Sequence, residues 1–200
     1  MTGPDGALPL LEQAVDYGLG CVDRVPPGGL LLPTPCTGWD LDALLCHLYE
    51  SVCALREASE SGEVALLPAE PPPADPVAAV RRGARDLLDS WRDRAVRPGR
   101  EPAEVTVGGM PLPGGTVALI AAVELAVHGW DIARSCGTPR PIPVPLARAI
   151  LRRAPLFTEG AGHAALFAPP VPVSPLACPG DRLVALLGRT PCGDAAAEPG

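Results

Sequence analysis

Apolar residues recur at helical spacing along most of this chain. In residues 9–24, Leu10, Leu11, Ala14, Val15, Leu19 and Val22 share one side, and Pro26-Pro27-Gly28-Gly29 ends the run. Pro9 suits the first helical position, where its missing N–H is no loss. A second stripe of Leu41, Leu44, Leu45, Leu48, Val52 and Leu55 predicts a helix over 41–59, with Asp40 as N-cap and Asp42 in the first turn. A third helix over 76–95 carries Val77, Val80, Ala84, Leu87, Leu88 and Trp91, with Asp75 as N-cap and Pro76 at its first position. Arg81, Arg82, Arg85, Asp86 and Asp89 read as its solvated face. Residues 104–111 alternate and then turn, which predicts a short extended segment or hairpin; Pro111 and Pro113 keep it out of a sheet centre. A fourth helix, capped by Thr116, stops at Gly137. A fifth follows Pro145 through Leu146, Ile150 and Leu151, and a last short one spans 182–187 after a Pro-rich surface stretch. Residues beyond Pro191 are expected to fray.

The fourth helix breaks its own pattern. Residues 116–131 are apolar on every face, as in a buried helix, yet Glu124 and His128 interrupt them at i,i+4 and Asp131 follows three residues on. All three project from one side. A buried carboxylate costs several kcal/mol unless something offsets its charge. A cation, most simply a metal ion held by Glu124 and His128, is one answer; a helix-surface pair facing a partner is the other.

The chain has only two more histidines. His47 points roughly 110° away from the middle of the second helix's apolar stripe, at about 100° per residue. It stands with Ala43, Ser51 and Ala54, small side chains that leave room for a cavity, although a lone histidine there is also explained by a hydrogen bond. His163 lies in the Gly-rich run 159–163 and reads as loop.

Composition narrows the function. The net charge is −7 and there is no basic run, which disfavours nucleic-acid binding. All 16 basic residues are arginine, which reads as the codon bias of a GC-rich genome. With no charged-then-apolar leader and no run of 18 apolar residues, the chain is expected to be cytoplasmic and free of a membrane anchor. The seven cysteines (Cys21, Cys36, Cys46, Cys53, Cys136, Cys178, Cys192) contain no C-x-x-C pair, so a cysteine zinc site is disfavoured and buried or idle thiols are expected. Cys36, just before the His47 helix, is the candidate for reactivity.

Two segments carry a resemblance. Pro33-Thr34-Pro35-Cys36-Thr37-Gly38-Trp39-Asp40 running into the His47 helix resembles the N-terminal signature of the mycothiol-dependent maleylpyruvate isomerase-like family, in the DinB-like superfamily of metal-binding four-helix bundles. The run from Glu124 through His128-Gly129-Trp130-Asp131 to Arg134 is similar to the family's second signature, and 179–189 to the terminal motif of one subgroup. The resemblance implies an all-α, DinB-like four-helix bundle with long connections and a short C-terminal extension. The expected division is a metal-binding helical bundle over 1–160 and a Pro-rich extension over 161–200, whose short helix packs on the same domain.

The resemblance also implies a divalent metal, zinc by its donors, on His47, Glu124 and His128. Two histidines and a glutamate leave positions open on such an ion, the mark of a catalytic site. The expected activity is a mycothiol-dependent isomerisation or S-transfer on a small electrophilic or unsaturated substrate. The thiolate adds to a cis double bond, the resulting single bond rotates, and elimination gives the trans isomer. Asp131 is the candidate catalytic residue: it can orient His128, shuttle a proton, or instead brace the helix end against a neighbouring arginine. The alternatives are a thiol-independent Lewis-acid enzyme on a natural-product intermediate and a non-catalytic metal-binding regulatory module. The expected partners are a small-molecule substrate and a low-molecular-weight thiol, with no nucleic acid and no membrane.

Overall fold

A computed structural model describes residues 6–64, 72–96, 104–158 and 168–191; His163 and Cys192 lie outside them. The described residues form helices α1 (Ala7–Val22), α2 (Leu41–Ser61), α3 (Pro76–Val96), α4 (Gly114–Ser135), α5 (Val144–Leu151), α6 (Pro155–Thr158) and α7 (Pro179–Leu186). Strands β1 (Glu63–Val64), β2 (Val105–Val107) and β3 (Met110–Leu112) are short. The fold is predominantly helical, as expected.

The chain divides into two compact units, 1–140 and 141–200. Within the smaller unit α5 packs against α7. In the larger unit α1 packs on α3 and α4, and α2 packs on the same two helices, which makes a four-helix bundle.

Contacts along the helices fix their directions. Val52 meets Gly83, Ser59 donates to Ser90 at 2.6 Å, and Arg94 reaches the Ala58 and Ser59 carbonyls, so α2 and α3 run parallel. Ser51 meets Glu124, and Cys36, five residues before α2, meets Asp131, so α2 and α4 run antiparallel. Parallel neighbours need a connection that returns along a helix, and 21 residues of helix span about 31 Å. The 14 residues between Ser61 and Pro76 are long enough for that, at up to about 3.3 Å each. The strands pin the same end of the bundle: β1, leaving α2, pairs parallel with β2, and β2 pairs antiparallel with β3. Pro111 sits on the edge strand β3, where a missing N–H is tolerated.

Helix starts follow local chemistry, with two shifts from expectation. Asp40 Oδ1 accepts from Ala43 N at 2.9 Å, and Asp75 Oδ1 accepts from Ala78 N at 2.9 Å, both as expected. Asp40→Ala is expected to lower stability by about 1 kcal/mol, read as a lower urea midpoint at constant slope. Thr116 does not cap α4. The chain turns out of β3 at Pro113, whose carbonyl accepts from Thr116 N at 2.8 Å, so the helix begins earlier. Likewise α1 begins at Ala7, and Pro9 occupies its third position, still among amides that lack an intrahelical acceptor. The charged side of α3 is not simply solvated: Arg81 reaches Asp23 and Arg92 reaches Glu12, each at 2.8 Å, tying α3 to α1. These exposed pairs contribute little individually.

Helix α4 is long and apolar enough to cross a membrane, but most of it is buried within the protein, as befits the core helix of a bundle.

Candidate functional site

The site forms where α2 and α4 run antiparallel and the segment before α2 folds over them. Pro33 and Asp40 pair across that segment, and Thr34 organises its interior. The Thr34 hydroxyl donates to the Trp39 carbonyl at 2.8 Å and accepts from Cys36 N at 3.1 Å. Gly38 takes φ +80°, a conformation that excludes most side chains from the turn. The result sets the Trp39 ring 4.8 Å from that of His47 and the Cys36 thiol 3.3 Å from Asp131 Oδ2.

The structure brings His47, Glu124 and His128 together. Glu124 Oε2 lies 3.3 Å from His47 Nε2 and 3.4 Å from His128 Nε2. Ser51 Oγ, one turn beyond His47, lies 3.3 Å from the same oxygen. The carboxylate is largely buried and His128 more so, whereas His47 is about one-third exposed. Asp131 is fully buried, and its Oδ2 accepts from His128 Nδ1 at 3.0 Å.

Burial opposes charge on Glu124, but hydrogen bonds from His128 and His47 overcome it and hold the carboxyl well below its ordinary range. Burial likewise opposes charge on His128; Asp131, Cys36 and Glu124 together push its pKa up.

The distances distinguish two kinds of contact. Charge-assisted N–H···O bonds run about 2.7–2.9 Å. At 3.3–3.4 Å the Glu124 contacts are long for such bonds. Ligands at about 2.0–2.2 Å from a tetrahedral zinc stand about 3.4 Å from one another. The donor atoms of His47, Glu124 and His128 lie within 4.8 Å of one another, and those of Cys36, His128 and Asp131 form a second such group sharing His128. The first group fits a divalent ion in chemistry and spacing. The Asp131 contact is an ordinary hydrogen bond to the other ring nitrogen.

The contact of Cys36 with Asp131 was not legible in the sequence, where Cys36 stood out only for its position before the His47 helix. The packing of Trp39 on His47 was not legible either. Asp131 turns toward His128 and Cys36, while the Arg134 guanidinium lies over Trp130. Among the described cysteines only Cys21 is fully buried. Cys46 and Cys53 are part-exposed, because their common side flanks the core stripe of α2 rather than joining it.

An antiparallel pair of bundle helices with a His–Glu–His cluster between them defines a DinB-like helical bundle. Residues 11–133 match the family model of the mycothiol maleylpyruvate isomerase N-terminal domain, and the chain belongs to that family. A crystal structure of the mycothiol-dependent maleylpyruvate isomerase shares the fold, with a TM-score of 0.57 and 17% identity over 74% of this chain and 67% of that one. No curated protein sequence matches this chain at a significant level.

Proposed function

We propose that this protein is a metal-dependent enzyme that uses a low-molecular-weight thiol, mycothiol, either to isomerise a small electrophilic or unsaturated substrate or to join the thiol's sulfur to it (S-transfer). In this reading His47, Glu124 and His128 hold the divalent ion, zinc by preference for these donors. The observation that carries it is the single Glu124 oxygen set 3.3 and 3.4 Å from two imidazole nitrogens. That spacing suits atoms gathered around a common ion better than atoms bonded to each other. When bound, such an ion favours the deprotonated form of a thiol at neutral pH.

The chain's own residues supply the rest. Glu124 brings a negative charge among apolar side chains. Asp131 accepts the Nδ1 proton of His128, which fixes the ring's tautomer and turns Nε2 toward Glu124. The Cys36 thiol donates to the same Asp131 oxygen, Oδ2, at 3.3 Å. The Trp39 ring limits the freedom of His47, the most exposed member of the cluster.

Cobalt-substituted protein tests the thiol part of the reading. Addition of mycothiol is expected to produce a thiolate-to-metal charge-transfer band that water does not give. An unchanged spectrum at saturating thiol would favour Lewis-acid chemistry without a thiol.

A further inference from the structure

The smaller unit holds a feature of its own. Helix α5 and residues 176–182 line an open cavity of about 550 Å³, a size suited to a small molecule. Arg148, Arg152 and Arg182 all face it, beside Leu151, Leu176 and Cys178. Among the described residues, no carboxylate pairs with any of these three arginines. The two other arginines of this unit are occupied: Arg153 donates to the Ala149 carbonyl and Arg189 to that of Leu187.

Electrostatics makes this convergence unusual. Arg148 and Arg152 stand at i,i+4, where like charges repel, although the C-terminal end of α5 favours both. Nothing similar favours Arg182. It follows Asp181 in the first turn of α7, at the end where the helix dipole disfavours a cation. The charge of the whole chain sharpens the contrast. Residues 141–200 carry five arginines and four acidic residues, whereas residues 1–140 carry 11 arginines and 19 acidic residues, so the chain's negative charge resides in the larger unit. Leu176 is 94% exposed at the same cavity. An apolar side chain in water beside three guanidinium groups that no described carboxylate pairs with suits a ligand with one anionic end and one apolar end.

We propose that this cavity binds a small organic anion, its carboxylate or phosphate group on Arg148, Arg152 and Arg182 and its apolar body on Leu151 and Leu176. The site rests on residues of the smaller unit alone and is independent of the function proposed above.

The test is titration of the 200-residue chain with 1-naphthyl phosphate and with 1-naphthylacetate, followed by calorimetry. At least one is expected to bind saturably, at about one per chain, and more weakly as salt is raised. Saturation by only one of the two identifies the head group. Arg148→Ser and Arg182→Ser are each expected to weaken binding by about tenfold or more; both residues are exposed, so the fold tolerates their loss. Bound ligand is also expected to slow alkylation of Cys178 by a neutral maleimide, read by peptide mass spectrometry. Failure of both compounds to bind, unchanged affinity in either variant, or equal alkylation of Cys178 with and without saturating ligand would each overturn the proposal.

Discussion

His128→Ala is expected to reduce bound metal from about one ion per chain to background and to abolish activity, because only two donors remain. Elemental analysis of protein purified without added metal checks the first part. A stability measurement checks that the cluster is more than an ion network. A chelator is expected to lower the melting temperature of the wild type and to leave His128→Ala unchanged, since an ion that binds only the folded state stabilises it by mass action. A wild type insensitive to chelation would sink the metal reading and leave Glu124 neutralised by two histidines.

Glu124→Gln is expected to cost more than Asp131→Asn. Glu124 would lie directly against the ion, whereas Asp131 reaches it only through the far nitrogen of His128, where losses are typically about 10–100-fold. Equal or reversed losses would make Asp131 a direct participant in the reaction.

The second large effect concerns the helix pair that carries the site. A Cβ added at Gly129 would stand 3.1 Å from the Gly18 backbone and 3.3 Å from the Tyr17 ring. One added at Gly18 would stand 3.0 Å from the Leu125 carbonyl oxygen. The backbones of α1 and α4 therefore approach one another through these two glycines. Tyr17 locks the contact, being buried with its hydroxyl donating to the Arg140 carbonyl at 2.6 Å.

Gly129→Val is expected to destabilise the protein by about 1–3 kcal/mol through overpacking, and to lower metal occupancy because His128 is the preceding residue. Gly129→Ala makes the sharper test, since two effects oppose. In an exposed helix that change would stabilise by about 1 kcal/mol, whereas here the rigid backbone of α1 blocks the methyl group. A urea midpoint that rises for Gly129→Ala would mean that the two backbones have room between them.

Local rules account for what the sequence alone determined. The apolar stripes of α1, α2 and α3 were legible because residues three and four apart share a face wherever the helix is placed. The Asp40 and Asp75 caps and the stop at Gly137, which takes φ +65°, depend on side chains and dihedrals within a few residues. The three-residue separation of His128 and Asp131 put them within reach in any helix. Glu124 was conspicuous because a carboxylate in an all-apolar helix demands a partner.

The shift of the α4 start to Gly114 was less legible. It depends on β3 running straight into the helix, and β3 exists only because it pairs with β2. The neighbours of each helix were settled by packing between residues far apart in the chain. The parallel course of α2 and α3, the approach of His47 and Ser51 to Glu124, and the arrival of Cys36 at Asp131 are all non-local. So are the Gly18–Gly129 contact and the packing of α5 on α7. No periodicity encodes these. A stripe fixes which face of a helix must be buried, but only the shapes meeting across that face decide against which neighbour.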